Sequence, residues 1–285
     1  MMFALPFPAI DPVLIEIGPF AIRWYALAYV VSLMLGWRYM LHLARRHSDI
    51  MTRLDVDDFL LWATLGVILG GRVGYVLFYN STFFLNHPLQ IFAVWQGGMS
   101  FHGGLIGVVT ALILFCLFRR LSILRVGDLL VCTVPIGLLL GRLANFINGE
   151  LFGRPSDVPW AMVFPNGGPV PRHPSQLYEA FAEGLVLFIL LWWLVRFTSA
   201  VRRPGLIAGV FLLGYAIART AAEFFRLPDA HLGFYFGGLV TMGQILSLPL
   251  AIAGMWLIWH ALAAPMVAPS LAPASAPPSP TQTKK

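Results

Sequence analysis

Long apolar runs alternate with short polar segments along almost the whole chain. Seven of these runs reach the roughly 20 residues that an α-helix needs to cross a bilayer. They cover residues 20–43, 59–79, 99–118, 127–147, 176–197, 206–225 and 237–260. The pattern therefore predicts an all-α polytopic membrane protein with seven transmembrane helices.

Composition supports the same fold class. Hydrophobic residues make up 58% of the 285 positions and charged residues only 11%, whereas an average soluble domain is about 25% charged. Nine tryptophans suit the aromatic belts at the two membrane–water interfaces. The net charge is +6, but the basic residues fall in short clusters between the apolar runs. This distribution does not indicate a nucleic-acid partner. Cys116 and Cys132 lie inside apolar runs, so we expect buried free thiols.

The basic residues between the runs predict the orientation of the chain. Seven crossings place the loops after the first, third and fifth runs, and the C-terminus, on one side. Their basic residues are Arg45, Arg46, Arg53, Arg119, Arg120, Arg125, Arg202, Arg203, Lys284 and Lys285. Since Lys and Arg accumulate on the cytoplasmic side, the N-terminus should be outside and the C-terminus inside.

Two segments differ in composition from the membrane domain, which we assign to residues 1–263. Residues at about 148–175 are rich in proline and glycine, and this predicts a small irregular head on the outer side. Residues 264–285 are rich in Ala, Pro, Ser and Thr, and this predicts a disordered cytoplasmic tail.

Polar side chains accumulate where the fourth run ends. Arg142 and Asn145 are three residues apart and share one helix face, and Glu150, Gly153 and Arg154 follow in the next turns. Ionisable groups at this depth are costly and usually functional, and a guanidinium matches phosphate oxygens. In the alternative interpretation, Arg142 extends to the interface and Asn145 caps the helix.

A second polar face lies on the sixth run. Tyr215, Arg219, Glu223 and Arg226 are spaced by four, four and three residues, which places them on one side of a helix. A Glu223–Arg219 pair that only joins helices is the alternative interpretation. If this face meets that of the fourth run, Arg142 and Arg219 would bind an anionic headgroup together.

Three further residues are candidates with less specific signals. His102 lies between glycine pairs at the outer start of the third run, where it could accept a proton from a thiol or simply bond a carbonyl. Tyr25, at the outer end of the first run, also fits an aromatic belt. Glu179, one turn before Glu183 in the fifth run, needs a partner such as an arginine, and structural anchoring is the expected role of this segment.

Four separated motifs resemble the bacterial prolipoprotein diacylglyceryl transferase family. They are GGMSFHGG, GRLANFINGELFGR, RHPSQLYE and Y-x3-R-x3-E-x2-R, in this order within about residues 15–260. The resemblance implies a seven-span protein of the bacterial inner membrane that needs no metal or organic cofactor. It implies transfer of the diacylglyceryl group of phosphatidylglycerol to the lipobox cysteine of a preprolipoprotein. A thioether forms and glycerol phosphate leaves.

The resemblance also implies roles for individual residues. Arg142 and Arg219 would be the essential arginines, and His102 would accept the thiol proton or orient the lipid. The expected substrate-binding residues are Tyr25, Asn145, Glu150, Gly153, Arg154, Tyr215, Glu223 and Arg226. Among them, Glu150 is expected to hold an arginine or the head in place rather than to act as a base.

Three rival functions fit parts of the pattern. A lipid transporter would need a polar path into the cytoplasmic half, but the polar groups concentrate in the outer half. A phospholipid hydrolase would use water in place of the thiol, and only its products would distinguish it. A structural scaffold would not need so many buried arginines, which we expect to lack partner carboxylates.

Overall fold

The computed structural model describes residues 5–8, 10–18, 20–227, 234–235 and 240–268. Most of the described chain is helical, and seven helical spans are long and apolar enough to cross a membrane. This confirms the predicted fold class. Residues 269–285, which hold most of the predicted disordered tail, lie outside the described residues.

Within the described residues, ten α-helices build the seven spans and the loop that follows the second span. They are α1 (Trp24–Arg46), α2 (Arg53–Phe78), α3 (Ser81–Asn86), α4 (Phe101–Arg119), α5 (Ile123–Val131), α6 (Val134–Ile147), α7 (Ser175–Glu179), α8 (Leu187–Phe197), α9 (Leu206–Glu223) and α10 (Met242–Ala263). Helices α5 and α6 together form the fourth span. A π-helical segment, Ala180–Val186, joins α7 to α8 within the fifth. Short 3₁₀ helices cover Pro88–Phe92, Val94–Gln96 and Ala200–Arg202.

In the part of the chain that the structure describes, short strands form three two-stranded ribbons. β1 (Leu5–Pro6) pairs in parallel with β4 (Met162–Val163) in the segment between α6 and α7. β2 (Val13–Ile17) pairs antiparallel with β3 (Phe20–Arg23), and β5 (Phe234–Tyr235) with β6 (Val240–Thr241).

Four spans start at least four residues away from the predicted position. The second and fourth start earlier, at Arg53 and Ile123 and not at residues 59 and 127, and the first and last start later. Residues 20–23 belong to strand β3, so the first helix starts at Trp24 and not at residue 20. The last helix starts at Met242 and not at residue 237, because Thr241 caps it. The Thr241 hydroxyl accepts from the Gln244 amide, and the Gln244 side chain accepts from the Thr241 amide in return.

Glycines allow α2 and α4 to pack with their backbones in contact. Gly66, Gly70 and Gly74 on α2 face Gly103 and Gly107 on α4. A Cβ atom at Gly74 would lie 2.7 Å from the Cα of Gly103, and one at Gly107 would overlap the backbone of Gly66. Such small-residue interfaces drive helix association in membranes, where the hydrophobic effect contributes little.

The buried carboxylate of Asp128 joins the fourth span to the sixth. Asp128 accepts hydrogen bonds from the backbone amides of Gly205 and Ala208, both at 2.7 Å, at the start of α9. These amides belong to the first turn of the helix, where the backbone lacks partners within the helix. Arg142 lies near the opposite end of the fourth span, and Arg219 lies near the opposite end of the sixth span.

We predict that Gly107→Ala lowers the free energy of unfolding by about 1–3 kcal/mol, because the added methyl group overlaps the backbone of α2. The measurement is the thermal unfolding midpoint of the purified protein in one detergent. Gly137→Ala is the matched control, since among the described residues no atom beyond its chain neighbours and its own helix backbone lies within 4 Å of the added methyl group. Equal midpoints for the two variants would contradict the packing account.

Candidate functional site

Two arginines from different spans meet on one carboxylate oxygen. Arg142 Nη2, on α6, lies 2.7 Å from Oε2 of Glu179, and Arg219 Nη1, on α9, lies 2.7 Å from the same oxygen. Glu179 is completely buried, and Arg219 is 8% exposed. The expectation that these arginines lack partner carboxylates was therefore wrong. The protein supplies its own anion between them, because an uncompensated buried charge would be costly.

The polar face of the sixth span continues this ion pairing along α9. Arg219 Nη2 donates to Oε1 of Glu223, one turn further on, and Arg226 Nη1 lies 3.4 Å from the same oxygen. Gly243, at the start of α10, leaves room for this carboxylate, since a Cβ there would lie 2.6 Å from Cδ of Glu223. The Glu223–Arg219 pair proposed as an alternative exists, and it belongs to a larger network.

Glu183 completes the network from the π-helical segment. It is completely buried, with Oε2 3.8 Å from Arg142 Nη2 and Oε1 3.8 Å from Arg219 Nη1. Neither oxygen accepts a hydrogen bond from any described residue. We call Arg142, Arg219, Arg226, Glu179, Glu183 and Glu223 the charge cluster. Within the described ranges, no group of three or more His, Cys, Asp or Glu side chains is arranged to hold a metal ion.

Tyr215 and Tyr25 border the charge cluster. Tyr215 lies one turn before Arg219, stacks on Phe211 with ring centroids 6.1 Å apart, and is close enough to interact electrostatically with Glu183. Tyr25, in the first turn of α1, interacts electrostatically with Arg142. Tyr215 therefore adjoins the charge cluster along α9, and Tyr25 is within electrostatic range of Arg142.

Asn145 and Glu150 connect the end of α6 to the start of α7. Asn145 Nδ2 donates to Oε1 of Glu150 at 2.8 Å, and Asn148 Nδ2 donates to the same oxygen at 3.3 Å. Gln176 Nε2, on α7, donates to the backbone carbonyl of Glu150 at 2.6 Å. Glu150 thus holds the turn in place through amides.

We call residues 148–174, between α6 and α7, the outer segment after their predicted location. Gly153 allows this segment to approach the end of the sixth span. Its amide donates to the carbonyl of His173 at 2.8 Å. A Cβ at this position would lie 2.5 Å from the carbonyl oxygen of Phe225 and 2.7 Å from that of His173. Burial lowers the pKa of His173, whose Nδ1 lies 3.1 Å from the Tyr178 hydroxyl. The site therefore requires glycine here.

Arg154 fixes the outer segment to the end of α9. Its backbone amide donates to the carbonyl of Phe225 at 2.8 Å. Its side chain donates to the carbonyls of Glu223, at 3.0 Å, and Arg226, at 2.9 Å. The guanidinium thus contacts the backbone of two members of the charge cluster.

His102 lies apart from these contacts. It is exposed in the first turn of α4, and its ring contacts Phe101 with centroids 5.6 Å apart. No hydrogen bond, ion pair or ring contact among the described residues joins it to the arginines of α6 and α9. The geometry therefore does not bring the predicted histidine into the charge cluster.

Sequence reasoning gave no role to Arg72, which organises the loop before His102. Arg72 is 5% exposed, and its guanidinium donates to four backbone carbonyls. These belong to Gln90 at 2.5 Å, Ile91 at 2.8 Å, Gly97 at 2.6 Å and Gly98 at 3.2 Å. A lone arginine within an apolar run was the available signal. For Glu183, sequence analysis predicted only an anchoring role, together with Glu179.

Comparison with known proteins identifies close relatives. The family model of prolipoprotein diacylglyceryl transferase matches residues 12–260. Phosphatidylglycerol–prolipoprotein diacylglyceryl transferase of Rhodospirillum rubrum is 67% identical over 90% of this chain and 93% of its own length. The enzymes of the same name from Paramagnetospirillum magneticum and Azospirillum brasilense are 60% and 58% identical. They cover 92% and 93% of this chain and 97% and 99% of their own lengths.

We predict that Gly153→Ala separates the outer segment from α9, because its methyl group would overlap two carbonyl oxygens. Amide hydrogen exchange at Gly153 and Arg154 should become faster, since their bonds to His173 and Phe225 would break. Asp157→Ala, at an exposed position of the same segment, is the control and should leave the exchange unchanged. Unchanged exchange in Gly153→Ala would contradict this account.

Proposed function

The chain belongs to the prolipoprotein diacylglyceryl transferase family, and we propose that its charge cluster binds the phosphate of phosphatidylglycerol. The protein is a multi-pass membrane transferase. It moves the diacylglyceryl group of phosphatidylglycerol to prolipoprotein, which is the first step of lipoprotein maturation. In the proposed reaction, the acceptor is the thiol of the lipobox cysteine in the signal peptide.

The observation that carries this proposal is the shared oxygen of Glu179. Two guanidinium groups already converge on one anionic oxygen at 2.7 Å. A phosphate oxygen has the charge and the size to replace that carboxylate oxygen, and guanidinium groups bind both anions with the same geometry. Glu179 would hold the arginines in position while no lipid is bound.

The reaction is a direct displacement. The thiol sulfur attacks the glycerol carbon that carries the phosphate, so an S–C bond forms as the C–O bond breaks. Glycerol phosphate leaves with the electron pair of that bond, and the thiol loses its proton. Because the phosphate gains negative charge, Arg142 and Arg219 stabilise the transition state more than the bound lipid.

Neighbouring residues have supporting roles in this proposal. Tyr25 and Tyr215 border the arginines and are suited to orient oxygens of the headgroup. Asn145 and Glu150 join the end of α6 to α7. Gly153 and Arg154 hold the segment between these helices against the end of α9. Glu223 holds Arg219 and also pairs with Arg226. His102 remains a candidate to orient the lipid or accept a proton, and substrate binding would have to bring it to the arginines.

We also propose that the membrane is the bacterial inner membrane and that the charge cluster faces the periplasm. The support is the charge distribution, since the loop clusters containing Arg45, Arg119 and Arg202 lie at the opposite ends of the spans from the charge cluster. Loops rich in Lys and Arg remain in the cytoplasm.

The direct test uses the purified protein, phosphatidylglycerol vesicles and a lipobox peptide. We expect the mass of the peptide to increase by one diacylglyceryl group, and a peptide with serine in place of the cysteine to stay unmodified. Consumption of phosphatidylglycerol without a change in peptide mass would instead identify a hydrolase and contradict the proposal.

We predict that Arg142→Gln and Arg219→Gln each lower kcat by about 10²–10³, the usual cost of removing one donor to a developing anion. Arg219→Lys should fail as well, because an ammonium cannot donate to Glu179 and Glu223 in a fixed fork. Arg196→Gln, at an exposed position in the last turn of α8, is the matched control. Full activity of Arg219→Lys would show that Arg219 only forms a structural ion pair and would contradict its role in the reaction.

A further inference from the structure

We propose that Glu183 is a further catalytic residue, which accepts the proton that the substrate thiol loses. This inference rests on the proposed function, since it names the destination of a proton that the transfer must release. Sequence reasoning treated the residue as an anchor, and its surroundings do not fit that role.

Glu183 differs from the other two glutamates of the charge cluster in its hydrogen bonds. Glu179 and Glu223 each accept a hydrogen bond from Arg219. Both oxygens of Glu183 are buried and accept none from the described residues. Buried polar groups are nearly always hydrogen-bonded, and an ionised carboxylate without hydrogen bonds is especially costly to bury. Glu183 is therefore the member of the cluster that gains most from binding a proton.

The charges of the cluster require such a group during transfer. Among the described residues, its ion pairs join three arginines and three glutamates, so the charges cancel. The lipid phosphate enters with one negative charge and leaves as a monoester that can carry two, while the thiol gives up one proton. If Glu183 takes this proton, the total charge of the buried cluster stays constant through the reaction.

The local backbone directs Glu183 toward the arginines. It lies in the π-helical segment Ala180–Val186, and such segments are frequent at functional sites. Next to it, Gly184 packs on α6, where a Cβ would lie 2.8 Å from Cα of Leu139. In this segment, Oε2 of Glu183 lies 3.8 Å from Nη2 of Arg142, and Oε1 lies 3.8 Å from Nη1 of Arg219. The proton acceptor is thus adjacent to the position proposed for the leaving phosphate.

The bonds balance in this step. The S–H bond breaks and its proton passes to a carboxylate oxygen of Glu183. The sulfur electron pair forms the S–C bond, and the C–O electron pair leaves with glycerol phosphate.

The test compares two acceptor peptides that differ in one atom. One carries the lipobox cysteine, and the other carries selenocysteine, whose selenol is ionised at neutral pH and needs no base. Glu183→Gln should slow transfer to the cysteine peptide by about 10²–10⁴, the usual contribution of a general base. Transfer to the selenocysteine peptide should fall by less than about tenfold, since no proton has to be removed.

Glu179→Gln is the matched control, with the same change one turn earlier on the same span. It should slow transfer to both peptides equally, because it disturbs the arginines and not the proton. Glu183→Asp is the second variant, and it keeps a carboxylate. The ratio of its transfer rates with the cysteine and selenocysteine peptides should therefore be closer to the wild-type ratio than that of Glu183→Gln. With the cysteine peptide, the rate of Glu183→Gln should rise as the pH approaches the thiol pKa of about 8.5.

The outcomes separate the two proposals. If the wild type attaches no diacylglyceryl group to either peptide, the proposed function fails. If the wild type is active and Glu183→Gln slows both peptides equally, Glu183 only balances charge and the inference is wrong. If His102→Gln slows transfer to the cysteine peptide alone, and Glu183→Gln does not, then His102 accepts the proton. That result would also overturn the inference.

Discussion

One carboxylate oxygen of Glu179 binds guanidinium groups from two other spans, and the arrangement of the site follows from this contact. Buried charges must be compensated where they lie, so α6, the fifth span and α9 have to meet at one depth. A buried ion pair contributes little net stability, but its geometry is strict. The contact therefore fixes the relative positions of three spans and presents two guanidinium groups already aligned for an anion.

The remaining contacts protect this geometry. Asp128 joins the fourth span to the start of α9 near the other end of the bundle. Arg154 and Gly153 hold the outer segment against the end of α9, next to Glu223 and Arg226. The arginines are thus held from both ends of their spans. In the proposed reaction, little reorganisation would therefore be needed when charge develops on the phosphate.

The seven spans were predictable because a helix that crosses a membrane must be long and apolar. The polar face of α9 was predictable from helical spacing alone, and the confirmed Arg219–Glu223 contact is local in sequence. Strand β3 was not predictable, because residues 20–23 are as apolar as the helix that follows them. The contact of both Arg142 and Arg219 with Glu179 depends on how distant spans pack. The four carbonyl contacts of Arg72 depend on a folded loop. No pattern of residue types encodes either.

The central claim is that the oxygen position between Arg142 and Arg219 is a phosphate site occupied by Glu179 in the absence of lipid. An experimental structure of the complex with phosphatidylglycerol tests it most directly. The account predicts phosphate oxygens within hydrogen-bonding distance, about 3 Å, of both guanidinium groups, with the Glu179 carboxylate displaced. A phosphate bound elsewhere, with both arginines still 2.7 Å from Oε2 of Glu179, would contradict it.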